Sequence, residues 1–307
     1  LHLVNVILLW RLLRRIRGLP APVGWAAPLL FLTSPVQTES VAYISSRSEL
    51  LAATFYLLAL RVFVSDWREK HPWITALVVA FCYGCSVTSK QHALTLPGAL
   101  LLVDYFFLAE RNWQRVRRNW PIYAVLGGLM VVGGFVVVRD VINVPSAGYY
   151  LKEVTWKDYL FTQFRMYFLY LRLLAFPFGL NADYDIAPSR TLWQHFSWLA
   201  LGGIVALLGA ALWGRRRWPL ASFGVLFYFL TLFPSSSVYP LLDYAAERRL
   251  YLPSIGFLAA ALGLAAGRWG TRRELVWGLV VTAPAYGAGT LSRNRVWADS
   301  LALWEDP

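Results

Sequence analysis

The sequence predicts an all-α polytopic membrane protein: a bundle of about ten transmembrane helices with one further helix on the outer surface. Three observations carry this. Apolar residues make up 58% of the 307 and charged residues only 15%, well below the roughly 25% of soluble domains. Uncharged runs cover 18–38, 72–89, 121–138, 191–214, 218–242, 250–267 and 275–292, and about 20 such residues cross a bilayer as a helix. Arginine clusters recur in every second connection, the pattern of cytoplasmic loops. A soluble enzyme, a disordered chain and an outer-membrane barrel of short alternating strands are excluded.

The elements follow in order. Spans are predicted at 1–13, 20–34, 49–65, 72–88, 92–108, 121–138, 195–213, 218–233, 254–267 and 275–291. Arg11, Arg14, Arg15 and Arg17 close the first, and Arg68 and Lys70, Arg111 to Arg118, Arg215 to Arg217 and Arg268 to Arg273 fall on the same side. The net charge of +12 is therefore a topology signal, and no nucleic-acid partner is expected. Asp104 and Arg61 sit at similar predicted depth and are expected to pair, as membrane charges do. Residues 158–178 are apolar but carry Arg165 and Arg172 in mid-segment. A full span there would move two arginine clusters outside, so the segment is read as an amphipathic helix on the outer face, within an outer loop of about 139–194. Cys82 and Cys85 lie in an apolar run and read as helix packing, not as a redox pair. No Walker lysine or phosphate-binding glycine loop is present.

Polar groups that carry chemistry gather at the outer ends of the spans. They are Glu39 and Arg47 in 34–52, Lys90 and His92 in 88–98, Asp183 and Asp185 in 179–188, Glu247, Arg248, Arg249 and Tyr251 in 243–257, and Arg293, Asn294 and Arg295 in 291–307. Taken singly each reads as an interfacial anchor. Together they point to a binding or catalytic site on the outer membrane surface. Tyr149, Tyr150 and Tyr184 each read first as interfacial-belt aromatics, with stacking on a ligand there as the alternative. Two other readings fit many spans with polar outer loops: a transporter or flippase, and a noncatalytic scaffold.

The stretch SPVQTESVAYISSRSELLA at 34–52 resembles the H-P-x-H-T-E-A-V-x-x-I-x-x-R-A-x-L-L motif of the transmembrane O-mannosyltransferases that carry tetratricopeptide repeats. AERRLYLPSIGF at 246–257 is similar to that family's E-x-R-x-L-Y-L-P-S-x-G-F. Ser89-Lys90-Gln91 sits at its S-K-E position, residues 180–185 at its L-x-x-D-x-x motif, and 293–304 at the junction before the repeats. Ser34 and Gln91 depart from the pattern, where the family has His and Glu. The resemblance implies a membrane glycosyltransferase of GT-C type. Such an enzyme moves a sugar, typically mannose, from a polyprenyl-phosphate carrier to Ser or Thr of a protein acceptor outside the cytoplasm. It implies a membrane domain at 1–291, and an outer junction at 292–307 leading to repeats. The location would be a bacterial inner membrane with a periplasmic site, or the endoplasmic reticulum with a lumenal one.

Guanidinium groups bind phosphate in bidentate fashion, so Arg248 and Arg249, then Lys90, are expected to hold the donor phosphate. Glu39 is expected as a second carboxylate, the main base of such enzymes lying in a first outer loop that would precede Leu1. This piece alone is therefore expected to be inactive. Arg47, His92, Asp183, Asp185, Glu247 and Tyr251 are expected to line the substrate and acceptor path. No obligate cofactor is expected; a divalent metal between Glu39 and the first-loop acid is the one alternative.

Overall fold

The structure is a computed structural model and describes residues 1–16, 18–142, 155–237, 240–241, 243–269, 272–299 and 302–303. Tyr149 and Tyr150 lie outside the described residues. Eleven helices of eight residues or more build the described part: α1 His2–Leu13, α2 Ala21–Thr33, α3 Arg47–Phe63, α4 Pro72–Ser89, α5 Leu96–Val103, α6 Trp120–Ile142, α7 Trp156–Ala175, α8 Ser197–Gly214, α9 Pro219–Leu232, α10 Pro253–Trp269 and α11 Arg272–Ala298. A helix occupies each of the ten predicted spans. Three stretches are long and apolar enough to cross a membrane by length and composition: Pro72–Ser89, Gln91–Leu108 and Gln194–Gly214. Four shorter apolar helices accompany them, at His2–Leu13, Ala21–Thr33, Pro219–Ser235 and Pro253–Arg268. This is the helix content of an integral membrane protein. α11 runs unbroken through position 291, where the sequence suggested a domain boundary.

The helices alternate in direction. The turns after α1, α3 and α5, the turn before α9 and the last turns of α10 meet around one cavity bearing Arg14, Arg15, Arg68, Arg111 and Arg217; this is the basic end. The segments after α2, α4 and α9 and before α10 meet at the opposite end, called here the site end.

Proline at the first turn starts α4, α9 and α10, where its missing N–H is no loss. Phe31, Tyr56, Leu57, Leu60, Phe63, Leu96, Leu100 and Phe227 form the buried core between helices. α8 turns Trp198, Leu199, Val205, Leu212 and Trp213 outward, and α4 does the same with Trp73, Ile74, Leu77 and Phe81. Water would not favour such faces, whereas lipid does.

α9 and α10 approach most closely. Gly256 of α10 lies so near α9 that a Cβ there would be 2.6 Å from the Tyr228 amide nitrogen and 2.7 Å from the Gly224 carbonyl oxygen.

Two polar residues of the core, Asn5 and Asp104, are each held by several partners. Asn5 of α1 donates from Nδ2 to Leu50 O and to Tyr251 Oη, each at 3.0 Å. Its Oδ1 accepts from Thr54 Oγ1 at 2.7 Å. Asp104 accepts from Asn119 and Tyr123 at 2.7 and 2.6 Å, and its ion pair is with Arg68 at 3.7 Å. The expected Arg61–Asp104 pair is thus replaced: a π-turn at Asp104–Leu108 presents Asp104 to the turn after α3, where Arg68 lies. Cys82 is buried and both cysteines are free.

α7 begins with a capping box, in which Thr155 Oγ1 accepts from the Asp158 amide and Asp158 accepts from the Thr155 amide. Four of its bonding partners, Ser235, Ser189, Tyr244 and Ala246, belong to the site end, and Tyr228, one turn inside α9, donates to Tyr167 O at 2.7 Å. Near its C-terminus the Leu174 carbonyl accepts from Tyr286, one turn short of Thr290, which itself bonds Thr33 at the end of α2. α7 therefore lies across the site end. Its two arginines tie down the following loop: Arg165 donates to Ala187 O and Ser189 Oγ, and Arg172 to Phe178 O.

Candidate functional site

Two sequence motifs meet at the site end. After α2, a 3-10 turn Pro35–Gln37 and a short helix Thr38–Ala42 carry Glu39, which is 1% exposed. Before α10, the 3-10 turn Glu247–Leu250 carries Arg248 and Arg249. Glu39 Oε1 accepts from Arg248 Nη1 at 2.6 Å and its Oε2 from the Arg248 amide at 2.7 Å. Arg248 Nη2 donates to Asp243 Oδ2 at 2.5 Å. Gln37 donates to Ser254 at 2.9 Å. The 34–52 and 246–257 motifs are thus two halves of one hydrogen-bonded unit.

A second carboxylate group stands beside it. Glu49, 3% exposed in the first turn of α3, takes Lys90 Nζ at 2.9 Å and His92 Nδ1 at 3.1 Å, one on each oxygen. Lys90 caps α4, and the 3-10 turn Gln91–Thr95 turns His92 back toward Glu49. Arg249 has no carboxylate within ion-pair distance among the described residues. It donates to the carbonyls of Asp243 and Tyr244 at 2.7 and 3.3 Å.

A cavity of about 280 Å³ opens between these groups, lined by Lys90, Gln91, His92, Arg248 and Arg249 with Glu49 and Asp243. The volume is near the lower end for ligand pockets, roughly 300 Å³. Four of the expected residues therefore converge: Lys90, His92, Arg248 and Arg249. Glu39 sits behind Arg248 and does not face the cavity. Arg47, Asp183 and Asp185 are exposed and away from it. Tyr251 is core: 2% exposed, bonded to His2 at 2.8 Å and to Asn5, and edge-on to Phe31. Sequence reading missed Glu49 and Asp243. Glu49 looked like an ordinary helix-start acid, and only the pairing of α3 with the α4–α5 turn distinguishes it.

Glu247 is fully buried. Its Oε1 accepts from the Asn181 amide at 2.6 Å and Tyr184 Oη at 2.7 Å; Oε2 accepts no hydrogen bond among the described residues. Burial pushes this carboxyl up to about 7. The Tyr184 bond opposes that, the Glu39 charge adds to it, and Arg293 and the Asn181 amide pull it down. Tyr184 is raised in turn, by burial and then by Glu247. In the 179–188 stretch Leu180 and Tyr184 turn inward, and the aspartates that flank Tyr184 do not.

The native protein thus holds a proton on Glu247 that the unfolded chain releases above about 4.5. Stability is full below that value and is lost as pH rises toward about 7. The melting temperature in detergent is expected to fall from about pH 5 to about pH 8, and Glu247→Gln to remove that fall. A wild-type profile that Glu247→Gln leaves unchanged would mean that Glu247 is ionised in the fold at about pH 5.

Among the described residues no three His, Cys, Asp or Glu side chains form a metal-binding group.

Comparison with known proteins gives names to the resemblance. The chain is 29% identical over 244 residues to "Protein O-mannosyl-transferase F38B6.6" of Caenorhabditis elegans, covering 76% of this chain and 33% of that protein. It is 24% identical over 276 residues to "Protein O-mannosyl-transferase TMTC4" of Homo sapiens, covering 75% of this chain and 36% of that protein. "Protein O-mannosyl-transferase Tmtc1" of Drosophila melanogaster is 23% identical, with 99% of this chain and 47% of that protein covered. The chain spans about a third of the length of the first two. No protein-family model matches it, and no solved structure does. The motifs and the comparisons agree on one set of relatives, the protein O-mannosyl-transferases of the TMTC type, to which this chain is similar over three quarters of its length or more.

Proposed function

We propose that this chain is the membrane-embedded part of a GT-C-type protein glycosyltransferase. In this reading it moves mannose from a polyprenyl-phosphate carrier to a Ser or Thr hydroxyl. The observation that carries this is the 280 Å³ cavity where Lys90, His92, Arg248 and Arg249 face Glu49 and Asp243 at one end of an apolar bundle. The relatives' names supply the reaction class. The ten alternating helices are membrane spans, the site end is the outer, periplasmic or lumenal face, and α7 lies in that interface.

A lipid-linked donor fits such a cavity: its tail stays in the bilayer while its head group enters from the interface. The reaction breaks the bond from the anomeric carbon to the phosphate oxygen, and the electron pair leaves with the phosphate. The acceptor hydroxyl oxygen bonds that carbon and gives its proton to a carboxylate. Preorganised cations stabilise the departing charge. Arg249, which bonds only carbonyl and hydroxyl oxygens, takes that role first; Lys90, paired with the single carboxylate Glu49, assists it, and Arg248 is held by two carboxylates, Glu39 and Asp243. Arg248 and Glu39 are positioning residues that fix the loop. Asp243 is the carboxylate with an opening: Arg248 uses only Oδ2, and the side chain is 42% exposed. Asp183 and Asp185, exposed on the loop beyond Tyr184, line the approach of the acceptor protein.

The test uses the full-length protein, radiolabelled polyprenyl-phosphate mannose and a Ser/Thr-rich acceptor. Arg249→Gln is expected to slow transfer by roughly 10²–10³-fold, the usual effect of removing one preorganised donor, and chelation by EDTA to leave transfer intact. Transfer from a different lipid-linked sugar would change the substrate and keep the mechanism. No transfer from any of them, with the fold intact, would favour a noncatalytic scaffold.

A further inference from the structure

A cavity larger than the one at the site end lies at the opposite end of the bundle. It holds about 1000 Å³ at the basic end and brings together Arg14, Arg15, Arg68, Arg111 and Arg217, with Asp66, Glu69 and Glu110. The charges do not cancel within it. Arg15 pairs with Asp66 at 2.8 Å, Arg68 contacts Glu69 and Asp104 at 3.7 Å, and Glu110 pairs at 2.7 Å with Arg115, outside the lining. Arg14, Arg111 and Arg217 have no carboxylate within 4.0 Å among the described residues.

These three come from three different turns. Two are held by aromatic faces, which leave their N–H groups unused: Arg14 lies 5.2 Å from the Trp10 ring centre and Arg217 5.8 Å from that of Trp218. Such stacking holds a guanidinium without neutralising it. Arg111 is aimed by strained backbone, since Glu110 and Arg111 take φ of 51° and 66° in succession, a region that costs non-glycine residues energy. The Arg111 amide is fixed to Tyr105 O at 2.7 Å. The cavity's inner wall is apolar: Phe107 and Leu220 also line a narrow crevice between α1, α2, α3, α5, α9 and α10. Trp67, Trp113 and Trp120 are exposed at the same end, where aromatic residues mark a membrane–water interface.

We propose that this cavity is a binding site for a phosphate-bearing anion, which the membrane supplies as the head group of an anionic phospholipid. Arg14, Arg111 and Arg217 hold the phosphate and Phe107 and Leu220 contact the start of the acyl chains. Basic pockets between membrane helices recognise such head groups. The site stands apart from the transferase reading and survives its failure.

The test measures thermal unfolding of the purified full-length protein in detergent. Short-chain phosphatidylglycerol, phosphatidylcholine of the same chain length and inorganic phosphate are titrated separately. Phosphatidylglycerol is expected to raise the melting temperature and phosphatidylcholine not to. The doubly substituted Arg111→Gln, Arg217→Gln protein should need about tenfold more phosphatidylglycerol. Both side chains are exposed, so its melting temperature without lipid should match wild type. Arg118→Gln, on the same face but outside the cavity, should behave as wild type. Native mass spectrometry should find retained anionic lipid on wild type and less on the double variant. Stabilisation by inorganic phosphate alone, lost in the double variant, would keep the anion site and make free phosphate its source. Equal stabilisation by both lipids, or an Arg118→Gln loss as large as the double variant's, would overturn the proposal.

Discussion

Replacing Arg248 with Ala is expected to destabilise the protein by about 3–5 kcal/mol, the cost of leaving a buried charge without its partner. Glu39, 1% exposed, would keep only the backbone amide of residue 248, and Asp243 would lose its donor as well. Arg248→Lys keeps the charge but cannot reach two carboxylates in opposite directions, so it should recover only part of the loss. Glu39→Gln keeps the shape and one hydrogen bond and should fall between. Thermal unfolding in detergent, read beside the transfer assay, separates two roles. Loss of stability and activity together would fit Arg248 as the brace of the cavity wall. Loss of activity at wild-type stability would make it a direct phosphate ligand. A change under about 1 kcal/mol would mean that the pair behaves as an exposed ion pair.

Gly256→Ala should be at least as severe. The added Cβ would stand 2.6 Å from the Tyr228 amide nitrogen and 2.7 Å from the Gly224 carbonyl oxygen. Both are backbone atoms, so no side chain can turn aside. Overpacking of side chains costs about 1–3 kcal/mol, and forcing two helix backbones apart is expected to reach or exceed the top of that range. Gly84→Ala and Gly128→Ala supply the contrast. A Cβ at either meets nothing within 4 Å, and a helical Ala is worth roughly 0.5–1 kcal/mol over Gly. These two should be neutral or stabilising by unfolding temperature. If Gly256→Ala matched them, α9 and α10 would have to be further apart than described. The contact also explains the glycine of the Y-L-P-S-I-G-F run: close approach to α9 fixes where α10 begins, and so where Glu247, Arg248 and Arg249 stand.

Helix positions were legible because length and hydropathy determine them locally. Most observed ends agree with the predicted spans within a few residues, as at 72–88 against Pro72–Ser89, while α11 runs on to Ala298 past the predicted 291 and α5 covers only Leu96–Val103 of 92–108. The polar clusters at the site end were legible as a set because charges at span ends group by face. Which residues meet across the bundle was not. Arg68, not Arg61, reached Asp104 because a π-turn shifts the phase of that helix end, and no hydropathy pattern encodes the shift. Tyr251 belonged to a motif yet faces Asn5 and Phe31, since a helix-entry turn sends neighbouring side chains in opposite directions. Glu49 and Asp243 became visible only through Lys90, His92 and Arg248, their partners from other segments.

Asn5 has a consequence for how the site end can change shape. Both of its amide hydrogens and its oxygen are taken, by α3 and by the turn that enters α10. A helix turns about 100° for each residue of axial slip, so a slip of α1 by one position would carry this amide into hydrocarbon with its bonds broken. Asn5 therefore acts as a key in a slot. α1 thereby holds the start of α3 and the Glu247–Leu250 turn in one fixed phase, and these two, through Glu49, Arg248 and Arg249, form the stationary jaw of the cavity. Adjustment to substrates of different size must fall to the rest of the lining, the Gln91–Thr95 turn and the stretch after α9 that carries Pro234, Ser235, Leu241 and Asp243.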